Sequence, residues 1–214
     1  MYARAKFVAA LPRHIPVLVL ALFLGACGTQ GVVVQAVQAP FENRLAEQQV
    51  VDAKIKTALL ERLAKIDKML LIDVTVDVWK REVLLTGALE SPSLRAKVLA
   101  AAHADARTKK IYDEIQIVSA ARHQDRRDMM DKAKAGAARV GDALNDVWIE
   151  TKIKGQLVAA KDVGSINYRW RSVFGVVSII GEARTPQERR TVESIIRHVE
   201  GVRKLNAFIS IASH

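Results

Sequence analysis

The sequence predicts an α+β fold: two small αββαβ units in tandem, each a three-stranded mixed sheet with two helices on one face. Three observations lead there. One pattern of residues occurs twice along the chain. Within each copy the apolar spacing switches between the helical period of about 3.6 and the strand period of about 2, in the same order. Half of the 214 residues are hydrophobic but only 5% are aromatic, which suits small units packed with Val, Ile, Leu and Ala.

The first 26 residues stand apart from the repeat. Arg4, Lys6 and Arg13 form a positive start, and Ile15 to Leu24 (IPVLVLALFL) form an apolar run. That run is too short for a bilayer, which needs about 20 apolar residues, and has the size of a signal-peptide core. Leu24-Gly25-Ala26-Cys27 follows at once. It resembles the lipobox of bacterial lipoproteins, which implies cleavage after residue 26 and a lipid-anchored Cys27. A single cysteine excludes an internal disulfide and a multi-cysteine metal site. The full chain carries +10; without Arg4, Lys6 and Arg13 it carries +7, a balance that favours anionic partners. Export argues against nucleic acid as that partner. One acyl chain holds a protein only marginally, so stable anchoring needs more than one. Gly28 follows the cysteine, and by resemblance to the enteric sorting rule this implies the outer membrane, facing the periplasm. Residues 27–48 form the lipidated start and a low-charge tether.

The copies occupy 49–118 and 146–212. Asp52 to Leu60 (DAKIKTALL) matches Glu150 to Val158 (ETKIKGQLV) at an offset of 98. Val83 to Gly87 (VLLTG) matches Val177 to Gly181 (VSIIG) at an offset of 94, as do Ser91-Pro92 with Thr185-Pro186 and Ile115 to Ile117 with Ile209 to Ile211. Copy one therefore holds four extra residues between its first helix and first strand. In copy two, Ile149, Ile153, Gln156, Leu157 and Ala160 share a helical stripe. Ile166, Tyr168 and Trp170 alternate as a half-buried strand should, Phe174-Gly175 forms a hairpin turn, and Val177 and Ile179 continue the inward face. Thr185, Pro186 and Glu188 predict a helix start with a capping box, and Val192, Ile195, Ile196 and Val199 its apolar stripe. Gly201 ends it in a left-handed cap, and Leu205 to Ile211 form the last strand. Copy one has Arg81 in place of Gly175 and Arg107 in place of Gly201, so both loops are expected to take other turn geometries.

Residues 119–145 join the copies. Asp128/Lys132 and Asp131/Lys134 favour a helix, Gly136 and Gly141 weaken it, and the segment reads as a solvated helical spacer. The outward sheet faces differ in charge. Copy one offers Asp73, Thr75, Asp77, Leu84, Thr86, Tyr112 and Glu114; copy two offers Asn167, Arg169, Arg171, Ser178, Ile180, Asn206 and Phe208. Acidic against basic, with apolar spots, predicts that the two sheets face each other. Units of about 70 residues bury too little surface to be very stable alone, so docking helps.

The element order, the V-x-L-x-G motif and the closing Gly201 to Ile209 together resemble the BON domain. The lipobox with two such domains resembles dual-BON outer-membrane lipoproteins, and Asn145 to Lys152 (NDVWIETK) resembles the start of their second domain. The resemblance implies a non-enzymatic, lipid-anchored envelope protein that binds anionic phospholipid and supports membrane integrity. It also implies that the first helix of the second domain faces lipid. The alternative is an adaptor for an envelope assembly or a peptidoglycan-associated partner.

No enzymatic constellation is visible. His14, His103, His123, His198 and His214 have no metal-ligand partner at helical spacing, there is no Gly-rich phosphate loop, and no small-molecule substrate or cofactor is implied. The candidate binding residues are Trp148, Lys152, Gly155 and Ala159. Trp148 lies about 120° from the apolar stripe of its helix, with the other three on its face. An indole beside an ammonium on a flat surface suits a phospholipid headgroup layer. The equivalent positions of copy one, Val50, Lys54 and Thr57, lack an aromatic.

Overall fold

Helix α1 (Ala46–Ile66) forms where Ile55, Leu59 and Leu63 recur at four-residue spacing, and it buries all three. A short turn α2 (Leu70–Asp73) follows, then β1 (Val74–Trp79), β2 (Glu82–Leu89), α3 (Pro92–His103) and β3 (Lys110–Ile117). Helix α4 (Ala120–Lys134) leads towards copy two: α5 (Asp146–Ala159), a 3-10 turn Ser165–Asn167, β4 (Tyr168–Val173), β5 (Val176–Ala183), α6 (Pro186–Arg197) and β6 (Lys204–Ile211). This computed structural model describes residues 42–134 and 146–213, without the side chains of 132–134. The leader, Cys27, most of the tether and residues 135–145 of the joining segment lie outside the described residues.

Each copy is the three-stranded mixed sheet that the sequence predicts. The middle strand pairs antiparallel with the first and parallel with the third, in the orders β1-β2-β3 and β4-β5-β6. Val74 faces Gly87 and Tyr168 faces Gly181; Glu82 faces Lys110 and Val176 faces Lys204. Every pair keeps the 94-residue offset, so the copies share one register. The helices cover one face. In copy one Ile55, Leu59, Leu63, Val98 and Ala102 pack on Val74, Val76, Val78, Val83 and Leu85. In copy two Ile149, Ile153, Leu157, Val192 and Ile196 pack on Tyr168, Val177 and Ile179.

The glycine of each V-x-L-x-G motif serves close packing. A Cβ on Gly87 falls 2.0 Å from the carbonyl oxygen of Asp73, and one on Gly181 falls 2.2 Å from that of Asn167. No side chain fits where the chain enters the first strand. At α6 the Thr185 hydroxyl accepts the Glu188 amide at 3.1 Å, as an N-cap should. Glu188 does not close a capping box on Thr185. Its carboxylate accepts the amides of Gly164 at 2.7 Å and Arg184 at 2.9 Å instead. Burial pushes that carboxyl up, but those amides and the Arg184 guanidinium outweigh it and hold it below the usual range. Gln156 also departs from expectation: it is exposed, outside the buried stripe of α5.

The expected difference between the two hairpins does not occur. Lys80 and Arg81 have φ of 48° and 69°, and Phe174 and Gly175 have 50° and 74°. Both are two-residue turns with left-handed backbone at both centres, the demand of a type I′ turn. Arg81 tolerates this because a carboxylate holds the turn. Asp52 accepts the amides of Lys80 and Arg81, each at 2.8 Å, and the Arg44 guanidinium at 2.6 Å. In copy two Asp146 plays this part, accepting Phe174 N at 2.7 Å and Gly175 N at 2.9 Å. The other loop does diverge. Gly201 has φ of 88°, whereas Arg107 is absent from the left-handed region, and Asp105 organises the bend by accepting Arg107 N at 3.1 Å and Arg107 Nε at 2.8 Å. The Arg107 side chain keeps the Asp105 carboxyl well below its usual range.

The two sheets face each other. Trp79, Leu84 and Ile180 are buried in one cluster, with Tyr112 and Phe208 packed against it. Tyr112 stacks on Phe208 with centroids 4.0 Å apart and an interplanar angle of 22°, and Asn206 Nδ2 donates to Glu114 Oε2 at 2.5 Å. The offset pairs Tyr112 with Asn206 and Glu114 with Phe208. Exchanging the copies therefore exchanges one contact for the other, which is the signature of a pseudo-two-fold axis. Asp77 and Arg171 are themselves equivalent and meet at 3.3 Å, on that axis. Lys80 pairs with Glu182, and Gln116 Nε2 donates to Val173 O at 2.8 Å. Two expectations fail in detail. Asp73 ends α2 and binds Arg127 and His123 of α4, not copy two. Trp79, which the sequence reading did not place on this face, is buried in it, with Arg44 4.1 Å and Arg169 5.6 Å from its ring.

Helix α4 is not a solvated spacer. His123 and Arg126 are buried. His123 lies 3.0 Å from Asp73 and 2.7 Å from Glu90, and Arg127 Nε donates to Asp73 at 2.8 Å. Arg122 sits 4.1 Å above the Phe174 ring of copy two, so α4 grips both copies.

Candidate functional site

Helix α5 owes its position to Ile149, Ile153 and Leu157, which it buries fully against the copy-two sheet. That fixes what it shows to solvent. Thr151, Lys152, Lys154, Gly155, Val158 and Ala159 are exposed, and Trp148 is half-buried with its inner edge on copy two's own core. Lys152 Nζ stands 5.2 Å from the centre of the Trp148 ring. At this distance the ammonium is held over the π-face and remains open to an anion on its outer side. The structure thus brings Trp148 and Lys152 together, with Gly155 and Ala159 one and two turns further along the same face. Cys27 lies outside the described residues.

The charge on this face follows from what the helix does with its acids. Asp146 is committed to the amides of Phe174 and Gly175 and to the Ser172 hydroxyl at 2.7 Å. Glu150 accepts Ser172 N at 2.8 Å, and burial pushes its carboxyl up. Both carboxylates of α5 therefore point inward, and the outer face keeps the ammonium groups of Lys152 and Lys154. Copy one differs: Glu47 and Glu61 of α1 are exposed, as Lys54 is.

Gly155 has no packing reason. A Cβ there meets nothing within 4 Å, yet glycine inside a helix costs about 1 kcal/mol relative to alanine. The residue keeps the surface flat where Lys152 and Ala159 flank it. Sequence reasoning missed two exposed apolar residues of α5 that lie beside this face. Val158 is 65% exposed and Val147 40% exposed, the largest apolar groups that α5 offers to solvent besides Trp148. Their signal is legible afterwards: both are apolar residues off the buried stripe. Among the described residues no three His, Cys, Asp or Glu side chains form a metal-holding group, and no helix is long and apolar enough to cross a membrane. His103 and His198 are exposed.

The family model for the BON domain matches residues 51–119 and 145–213. The chain is similar to an uncharacterized protein in the gshII 5′ region of Anaplasma centrale, 29% identical over 138 residues, covering 64% of this chain and 81% of that one. It is also similar to the C-terminal domain of CdsD, a structural protein of the type III secretion system of Chlamydia trachomatis. That match has 14% identity and a TM-score of 0.30, over 73% of this chain and 96% of that one. A second CdsD structure aligns at 15% identity and a TM-score of 0.29, over 72% and 92%. Likeness at that level carries no argument.

Proposed function

The chain belongs to the BON domain family, and from that premise we propose that it is a non-enzymatic binding protein of the bacterial envelope. Its ligand is anionic phospholipid, and its binding face is the outer side of α5: Trp148, Lys152, Gly155 and Ala159, widened by Lys154 and Val158. Lipidation at Cys27 supplies the first attachment to the periplasmic face of the outer membrane, and α5 supplies the second. Binding there supports the integrity of the membrane.

One observation carries this reading. Both acids of α5 are turned inward onto hairpin amides, which leaves an outward face of lysines, an indole and open small residues. Lysines near an anionic surface contribute about 1 kcal/mol each, and an indole prefers the interface between headgroups and acyl chains.

Co-sedimentation of the full chain with vesicles tests it. Binding should be stronger to phosphatidylglycerol-containing vesicles than to pure phosphatidylcholine and should weaken with salt. Lys152→Ala should lower the affinity about fivefold, which is the 1 kcal/mol of one cation. Trp148→Glu should lower it further. Equal binding to both vesicles, or full binding by Trp148→Glu, overturns the reading. Capture of an envelope protein without any vesicle binding would instead support the adaptor.

A further inference from the structure

The α2 turn of copy one corresponds, at the 94-residue offset, to the 3-10 turn of copy two, but its surface is unusual. Leu70 is 1% exposed and anchors the turn in the core, while Met69, Leu71 and Ile72 are 40%, 46% and 43% exposed. Ile66, at the end of α1, is 37% exposed beside them. Single exposed apolar residues are ordinary; four within seven positions form a patch. Copy two has no counterpart, since its 3-10 turn buries Asn167 and half-buries Ile166.

The turn is tied down at both ends, and lysines accompany it. Asp73 is clamped by Arg127 and His123, and the Asp67 carboxylate accepts Met69 N at 2.8 Å, which pins the start of the turn. Lys65 and Lys68 flank the apolar side chains and are exposed. Among the described residues, the acids nearest in sequence are Glu61, one turn back on α1, and Asp67 and Asp73, which are engaged as above. Exposed apolar side chains interleaved with exposed lysines suit an anionic lipid surface, whose acyl chains take the former and whose phosphates take the latter.

Helix α4 links the patch to the first turn of α5. Arg126 and Arg127 are consecutive residues of α4. Arg127 holds Asp73 at the end of α2, and Arg126 lines one cleft with Asp146 and Val147 in the first turn of α5. The α2 turn and the first turn of α5 thus both lie against α4, a single helix roughly 10 Å across.

We propose that the α2 turn is a second membrane-contact element, in which Met69, Leu71 and Ile72 enter the interface of an anionic bilayer and Lys65 and Lys68 meet its phosphates. This rests on the reading of α5 as a lipid face, and it makes the contact bipartite, one element from each copy.

Vesicle co-sedimentation of the full chain with phosphatidylglycerol/phosphatidylcholine mixtures separates the two ideas. Leu71→Glu should weaken binding about tenfold, because a charge replaces an inserted leucine. Leu71→Trp should bind at least as tightly as the parent. Leu71 is half-exposed, so both variants should keep the parent melting temperature; if Leu71→Glu does not, Leu71→Trp decides. Full binding by Leu71→Glu, or weaker binding by Leu71→Trp, overturns the proposal. Loss in Trp148→Glu alone leaves the α5 reading standing and removes this one; loss in Leu71→Glu alone does the reverse. Sedimentation equilibrium without lipid covers the remaining occupant. A dimer that Leu71→Glu dissociates, with vesicle binding intact, would assign the patch to a second copy of the chain and overturn the proposal.

Discussion

Leu84 and Ile180 offer a sharp test of the docked sheets. Each projects from the sheet face that its own helices do not cover. If each copy stood alone, both side chains would be in water, and truncating them would change stability by less than about 0.5 kcal/mol. In the structure Leu84 is 0% exposed and Ile180 1% exposed, within the same cluster as Trp79. Full burial predicts a loss of about 2–4 kcal/mol for Leu84→Ala and for Ile180→Ala alike. With a urea slope of about 2 kcal/mol per molar, each lowers the unfolding midpoint by about 1–2 M. The two losses should not add, because the first truncation already opens the space that the second would vacate. A coupling of about 1 kcal/mol in the double-mutant cycle is expected. The Asp77–Arg171 pair is a poorer probe. Its contact is 3.3 Å and the Arg171 side chain is 35% exposed, so solvent screening leaves little to measure. Near-zero single losses with zero coupling would refute the docking.

Two further predictions follow from the fold. Gly87→Ala and Gly181→Ala should each destabilise by about 2 kcal/mol or more, since the new methyl meets a backbone oxygen at 2.0 or 2.2 Å and only the strand entry can yield; thermal unfolding reads this directly, and an unchanged melting temperature would contradict it. The third concerns pH. Burial between the sheets raises the Glu114 carboxyl above its ordinary value, with the Asn206 amide pulling the other way. A raised carboxyl contributes stability that is fully present below the ordinary glutamate value of about 4.3 and is lost as pH rises through the raised one. Glu114→Gln should therefore lose less stability than the parent as pH rises from that value, by urea midpoints across a pH series. Identical slopes would count against it. Glu150, raised for the same reason, keeps part of the slope in the variant.

The repeat made the fold legible. Once Val83 to Gly87 is aligned with Val177 to Gly181, strand order and register are shared, and the alternation along β4 separates Tyr168 and Trp170 from Arg169 and Arg171. Opposite charges on the outer faces of the sheets pointed to their docking. What stayed illegible depends on partners distant in sequence. Arg81 was judged by its own backbone preference, but Asp52, 29 residues away, takes up the turn amides and stabilises the left-handed pair. The α4 sequence reads as polar and solvated, yet Asp73, Glu90 and Phe174 exist to receive His123, Arg127 and Arg122 only after both copies have folded. Trp79 escaped for a related reason: its role at the interface needs Arg44 and Arg169 from two separate segments. On α5 the pairing of Trp148 with Lys152 was visible from helical spacing. The inward turn of Asp146 and Glu150 was not, because it depends on the hairpin of the same copy.

The short stretch ahead of α1 has a mechanical consequence. Glu42 binds Arg169 of copy two at 2.6 Å, and Asn43 N donates to Asn167 of copy two at 2.8 Å. Arg44 then turns to Asp52 and Trp79 of copy one. A pull on the chain from its N-terminal side meets copy two before it reaches the first helix of copy one. A load from that side is thus shared with copy two through these two contacts before α1 has to bear it.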